Sequence, residues 1–258
     1  MTQASAESGT WSRRAFSTEF KLEAVRLLGE RRVLGVSLAQ VGRELGVPPD
    51  LLRKWVRPEK RWLARKLASE EGYSFTADYV STHVPNWTRL LEDYRDRPGV
   101  RMLEIGSYEG RSTVWFLANV LTHATASIVC VDIFTRAAYA LRFDHNIRVS
   151  GVGHKVTKLQ GPSHTILRKL PRDHFDVIYI DGWHEAAYVL KDGVMSWHRL
   201  KPGGVMIFDD YLWDLHKPAR DRPQIAIDVF LESFAGQYEV LLKDYQVAIR
   251  KRTIAGGL

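Results

Sequence analysis

Apolar positions change their rhythm along this chain, and the change divides it. Up to about residue 57 they recur at helical spacing. "FSTEFKLEAVRLL" puts Phe20, Ala24, Leu27 and Leu28 on one side, with Ser17 as N-cap and Glu19 in the first turn. "SLAQVGREL" predicts a second, short helix: Ser37 and Gln40 have capping-box spacing, Leu38, Val41 and Leu45 form its apolar side, and Gly46 ends it. "VPPDLLRKWV" predicts a third that opens on proline and turns Leu51, Leu52 and Trp55 inward. "RPEKRWLARKLASEEG", residues 57–72, reads as a charged connecting helix or a linker. From residue 100 short apolar runs take over: "RMLEIG", "SIVCVD", "KVTKLQG", "FDVIYID", "GVMIFDD", "YEVLLKD" and "QVAIRKR". Helical stretches separate most of them, which predicts an α/β fold with a doubly wound, mostly parallel sheet. The last two runs nearly abut and predict an antiparallel hairpin at one end of that sheet.

Composition narrows the class. A chain of 258 residues with 45% hydrophobic residues and eight tryptophans can bury a large core. The single cysteine, Cys130, sits inside an apolar run and cannot pair internally, which suits a reducing, cytoplasmic setting. No apolar run approaches the roughly 18–20 residues of a membrane span, and "MTQASAESGTWSRR" lacks the apolar core of a secretory signal. The net charge of +7 is uneven: residues 1–72 hold 14 Lys/Arg against 9 Asp/Glu. That excess could meet a polyanion or be a solvated helical face.

Chemistry gathers where strands are expected to end. In doubly wound sheets a ligand lies outside the carboxyl ends of the strands. "LEIGSYEGRST" offers Gly106 for a tight turn, Gly110 for close helix packing, and a helix N-terminus with free N–H groups. "FDVIYIDGWHE" ends its apolar run on Asp181, and "GGVMIFDDYLW" ends on Asp209 and Asp210. Neighbouring strands lie about 4.8 Å apart, so these carboxylates should converge and repel. A divalent cation such as Mg²⁺, with Asp181, Asp209 and Asp210 as ligands, resolves the repulsion. The alternative is that Asp209 or Asp210 merely caps the following loop. The aromatic-rich stretch 73–98 is expected to be a lid or acceptor wall, or to pack in the core. The loop "WDLHKPARDRP" offers His216, Lys217 and Arg220 as acceptor contacts.

"LEIGSYEGRS" followed by "VCVDIF" resembles class I S-adenosylmethionine-dependent methyltransferases, nearest the catechol and caffeoyl-CoA O-methyltransferase type, from about residue 73 to the end. The resemblance implies a seven-stranded Rossmann-like methyltransferase domain and S-adenosyl-L-methionine as cofactor. It implies that Glu104, Gly106, Ser107, Tyr108, Gly110 and Ser112 surround the methionine part of the cofactor, with Tyr108 replacing a common glycine. Asp132 would then accept bonds from the ribose hydroxyls, or else cap a helix. "GPSH" matches the adenine segment and implicates Ser163 and His164. Asp181 and Trp183 complete the cofactor set, and the metal assignment is the same three aspartates. His184 stands where the family keeps a catalytic lysine, and can act as base or simply bond a carboxylate. These residues imply an Mg²⁺-assisted O-methyltransferase for a small hydroxylated molecule, a catechol-like aromatic or a natural-product sugar; the alternatives are a DNA-associated protein of the same fold targeted by a helix-turn-helix, and a cofactor binder without catalysis.

Residues 12–57 resemble the helix-turn-helix of insertion-sequence transposases on "FSTEFKLEAVRLL", "SLAQVGRELGV" and "LLRKWV". This implies DNA contact by Arg53, Lys54 and Arg57. Pro48, Pro49 and Asp50 oppose base readout, because Asp50 would repel phosphate. A docking or dimerisation element, or a relic of gene fusion, is the alternative, and a homo-oligomer is compatible with the sequence. The expected organisation is residues 1–57, a connecting segment 58–72, and the domain 73–258.

Overall fold

The structure is a computed structural model and describes residues 16–33 and 36–253. It divides into two compact units, residues 1–61 and 62–258.

The first unit is helical. α1 (Thr18–Val33) opens where the Ser17 hydroxyl accepts the Phe20 amide at 3.1 Å. α2 (Leu38–Leu45) opens on Ser37, whose hydroxyl accepts the Gln40 amide at 3.2 Å, and closes on Gly46 in the left-handed region. Each cap satisfies an amide that the helix geometry leaves free. Ala24, Leu28, Val41, Val47 and Leu52 form the core of this unit, with Phe16, Phe20 and Trp55 packed against it. α3 (Pro49–Ser69) continues through residues 58–69, so the connecting-helix reading of that stretch holds as far as Ser69. Its run of Lys, Arg, Ala and Leu carries strong helix formers, and only Pro58 interrupts them.

The second unit is an α/β domain. α4 (Val84–Leu90) precedes β1 (Arg101–Ile105), and then strands and helices alternate. They are α5 (Arg111–Asn119), β2 (Ser127–Asp132), α6 (Ala137–Val149), β3 (Val156–Gln160), α7 (Ser163–Leu167) and β4 (Phe175–Ile180). α8 (Ala186–Trp197), β5 (Leu200–Phe208), α9 (Pro223–Ser233), β6 (Tyr238–Lys243) and β7 (Val247–Lys251) complete it. The sheet runs β3-β2-β1-β4-β5-β7-β6, with β7 antiparallel to both neighbours and every other pairing parallel. The expected hairpin therefore lies at the β6 edge.

β4 is buried at all six positions, as its unbroken apolar run requires of a central strand covered on both faces. One core layer gathers Trp87, Phe116 and Tyr179; the other gathers Ile178, Phe208 and Phe230. Trp87 is fully buried, 4.7 Å from Phe116 and 5.2 Å from Tyr179 between ring centres, and its Nε1–H donates to Gln246 at 3.0 Å. Truncation to alanine should cost about 3–5 kcal/mol. Among the described residues no helix is long and apolar enough to cross a membrane.

Candidate functional site

Backbone bonds carry the ladder one residue past the strand tips. Gly106 N–H donates to Val131 O at 2.8 Å, Asp181 N–H to Ile105 O at 2.8 Å and Asp209 N–H to Ile180 O at 2.9 Å. The loops after β1, β4 and β5 therefore start from one rigid line, where the strand order turns about β1.

Gly106 has φ 88° and sits directly on the β4 loop. A Cβ there would lie 1.7 Å from Asp181 O, a distance no side chain tolerates. Glycine is thus obligatory because two rim loops touch through their backbones. Gly110, at φ 82°, opens α5 against Phe143. Between them Tyr108 adopts φ 45°, the left-handed conformation that favours glycine. Its amide and that of Ser107 donate to Asp132 Oδ2 at 2.8 and 2.9 Å, which holds the loop in that shape. Asp132 Oδ1 accepts Phe134 N–H at 2.5 Å. Asp132 is therefore engaged chiefly by backbone amides, and burial, opposed by those bonds, raises its pKa.

Several expected cofactor residues bond each other. Glu104 is fully buried and accepts from the hydroxyls of Ser112, at 2.6 Å, and Thr113. Ser163 Oγ donates to Asp192 on α8 at 2.6 Å. Ser107 Oγ differs: it is buried beside Glu104 and Cys130 without a hydrogen bond of good geometry. His164 is part-buried, whereas Trp183 is 40% exposed with its ring 6.3 Å from Tyr188.

The acidic rim is arranged unevenly. Asp181, His184 and Asp210 each offer a ligand atom, all within 4.8 Å of one another. His184 Nε2 lies 2.9 Å from Asp210 Oδ2, and Tyr245 donates its hydroxyl to Asp210 Oδ1 at 2.8 Å. Asp209 turns the other way: it accepts the Tyr179 hydroxyl and lies 3.7 Å from His83 Nε2. Tyr179 O–H also stands 3.2 Å from Asp181 Oδ2. Burial, then the charges of Asp209 and Asp210, push the Asp181 pKa well up. Burial and Asp210 raise that of Asp209. In Asp210 burial also acts upward, but the bond and charge of His184 and the Tyr245 hydroxyl outweigh it, leaving the pKa low.

The stretch 73–98 divides between the two expected uses. Trp87 and Tyr94 are core, while Tyr73 and Tyr79 are exposed. Its first part is clamped to the glycine loop: buried Glu109 accepts from Thr76 N–H at 2.6 Å and Oγ1 at 2.9 Å and pairs with Arg142 at 3.2 Å. Arg111 pairs with Asp78 at 2.7 Å. In the loop after β5, Lys217 Nζ stands 3.9 Å over the Trp213 ring, which lies 4.4 Å from the His184 ring; His216 and Arg220 are exposed. In the first unit Arg53 pairs with Asp50 at 2.7 Å and Lys54 is exposed; the Arg57 side chain lies outside the described residues.

Sequence reasoning missed His83, Glu109, Tyr179, Asp192 and Tyr245. Tyr245 had a signal, since it occupies the short turn of the expected hairpin next to the sheet rim. The others meet the site only through contacts distant in sequence.

Sheet order and glycine turn give a Rossmann-like methyltransferase fold. Residues 103–211 match a family model described as "Methyltransferase domain", and residues 12–71 match one described as "Transposase". The chain is thus similar to a methyltransferase domain over residues 103–211 and to a transposase-type segment over residues 12–71. No curated protein matches the chain. Among solved structures, the O-methyltransferase TomG from Streptomyces achromogenes, involved in tomaymycin synthesis and solved with S-adenosylmethionine, is 18% identical. It covers 76% of this chain and 89% of its own, with a TM-score of 0.53. The Bacillus cereus O-methyltransferase solved with S-adenosylhomocysteine is also 18% identical, covering 74% of this chain and 90% of its own at a TM-score of 0.54. Cofactor-bound Rv0187 from MTB is 15% identical, covering 75% and 90% at a TM-score of 0.51. At these identities the likeness establishes the fold.

Proposed function

We propose that this chain transfers a methyl group from S-adenosylmethionine to a hydroxyl of a small molecule, a catechol-like aromatic or a natural-product sugar, beside a divalent cation such as Mg²⁺. The observation that carries the reading is the seal between two rims: Gly106 lies against the Asp181 carbonyl, and Asp181 converges with His184 and Asp210. A donor cradled by the glycine loop would end within reach of an acceptor held at the acidic tips. The residues fit both groups. Ser107 Oγ is a buried polar atom with no well-formed hydrogen bond, and a ligand in the loop would complete it. The carboxylates of Asp181 and Asp210 would suit a divalent ion with room for other oxygen ligands. Asp132 keeps one acceptor position beyond its three amide bonds, and a ribose hydroxyl could use it.

Such an ion lowers the pKa of an acceptor hydroxyl and offsets the crowding of carboxylates. The remaining chemistry belongs to the side chains. Converting a hydroxyl to an ether releases a proton. With Nε2–H donated to Asp210, neutral His184 keeps its lone pair on Nδ1, ready for that proton. Asp210 orients the ring and stabilises it when charged. Fixing donor and acceptor at attack distance contributes up to ~7–11 kcal/mol. Purified full-length chain incubated with methyl-labelled S-adenosylmethionine and a panel of phenols and sugars should yield methyl ethers. Product should vanish with EDTA and return on adding Mg²⁺. Transfer that ignores EDTA would sink the cation's part, and methylated amines as the only products would sink the O-methyl reading.

A second reading concerns the first unit. The match over residues 12–71 and the local excess of Lys and Arg support contact with DNA. A gel shift at low salt, lost in Arg53→Ala/Lys54→Ala, tests it; no shift at low salt removes it.

A further inference from the structure

The carboxylate of Asp210 is held from two sides by residues distant in sequence. His184 Nε2 lies 2.9 Å from Oδ2, and the Tyr245 hydroxyl donates to Oδ1 at 2.8 Å. An ionised carboxylate only accepts, so both neighbours must point a hydrogen at it. For His184 that sets the tautomer: the hydrogen is on Nε2 and the lone pair on Nδ1. Asp210 itself has φ 60°, and its side chain parts from that of Asp209, which faces Tyr179 and His83. Tyr245 is anchored in turn. Its carbonyl accepts Tyr211 N–H at 2.8 Å, and its ring stacks on His83 with 5.6 Å between centres. The next residue, Gln246, is fully buried and accepts Trp87 Nε1–H at 3.0 Å. The turn between β6 and β7 thus ties the tip of β5 to the core, and the Tyr245 hydroxyl reaches Asp210 from a fixed base.

We infer that Tyr245 is a positioning residue for methyl transfer: by occupying Oδ1 it holds the Asp210 carboxylate in the orientation that keeps His184 as the Nε2–H tautomer, with the Nδ1 lone pair free for the acceptor proton. The inference rests on the transfer reading above. Without the hydroxyl, the carboxylate can turn about its Cβ–Cγ bond, a torsion with broad preferences. The imidazole then loses its fixed acceptor and can carry its hydrogen on Nδ1 as well. A ring in that form has no lone pair where the proton released on ether formation is to be taken, and that fraction of the enzyme does not act as base. Losing one hydrogen bond to a charged group amounts to roughly tenfold to hundredfold. The glycine loop lies on other strands and keeps its own bonds to Asp132, so donor binding should not change with Tyr245.

The test compares the His184 tautomer in wild type and in the near-isosteric Tyr245→Phe. It is read from long-range proton–nitrogen NMR spectra of full-length chain labelled with nitrogen-15 histidine, in EDTA at about pH 9, well above the ordinary imidazole pKa. The His184 signals are identified by their loss in His184→Gln. Wild type should show His184 wholly as the Nε2–H form, and Tyr245→Phe should show a mixture of both forms. On a phenol or sugar that wild type methylates with Mg²⁺ present, Tyr245→Phe should lower kcat by roughly tenfold or more and leave the acceptor KM within about twofold. Its affinity for S-adenosylhomocysteine should match wild type. A wild type with hydrogen on Nδ1 of His184, or a Tyr245→Phe variant that keeps the pure Nε2–H form, overturns the inference. Failure of wild type to methylate any member of the panel overturns the transfer reading instead, and the spectra then test the Tyr245–Asp210–His184 geometry alone.

Discussion

On either side of β1, one carboxylate closes β2 and three close β4 and β5, and they are treated in opposite ways. At the tip of β2, Asp132 accepts three backbone amides and holds the glycine loop in shape. At the tips of β4 and β5, Asp181, Asp209 and Asp210 act on one another, and burial with mutual repulsion drives two of the three toward the protonated form. A carboxylate whose lone pairs meet N–H donors is part of the scaffold. Carboxylates left facing each other lower stability and persist where they hold something the bare protein lacks. His184 belongs to the second set, because it answers the charge of Asp210 while leaving a ring nitrogen for chemistry.

Four substitutions sharpen or break that contrast. The largest effect is expected for His184→Gln: slower methyl transfer by about 10²–10⁴-fold with a melting temperature close to wild type. Equal loss of both would make His184 a structural residue. Asp132→Ala should do the reverse, destabilising the domain by about 3 kcal/mol in chemical denaturation because three amides lose a charged acceptor. An unchanged midpoint would mean that water replaces the carboxylate.

Asp192→Asn follows, at a buried carboxylate with a single hydroxyl donor. Its folded pKa of about 6 lies above the ordinary 3.8, so its contribution is complete at low pH and is lost as pH rises through 6. Between pH 4 and pH 7 wild type should lose on the order of 3 kcal/mol relative to the variant. Parallel stability curves would contradict this. The smallest effect is expected for Asp209→Asn without divalent ions, where removing one repelling charge should leave stability unchanged or raise it by about 1 kcal/mol. Adding Mg²⁺ should then raise the melting temperature of wild type and variant alike; a smaller shift in the variant would bring Asp209 into the ion site.

The same contrast explains what could be read in advance. The parallel strands were legible because "FDVIYI" and its neighbours are unbroken apolar runs, and the terminal hairpin because two such runs nearly touch. Ser17, Ser37 and Gly46 announced the helix ends that they cap. Gly106 was legible as a turn, but its contact with the Asp181 carbonyl was not, since strand order decides which loops meet. Side-chain direction was the least legible. β4 is buried on both faces, so nothing in its pattern indicated that Tyr179 would reach Asp209. The hydroxyls of Ser112 and Ser163 suit a ligand equally well by composition, and their turn toward Glu104 and Asp192 depends on tertiary packing. His83 comes from a segment with no motif and meets Asp209 more than a hundred residues away.

The central claim is that the β1 glycine loop, sealed against the β4 tip, is a site for the methyl donor. The most direct measurement is titration calorimetry of S-adenosylhomocysteine into the full-length chain and into Gly106→Val, with circular dichroism to confirm that the variant folds. Saturable binding at a single site in wild type, abolished in a folded Gly106→Val, is the predicted result. A folded wild type that gives no heat at millimolar ligand, or a Gly106→Val variant that binds as tightly, would contradict it.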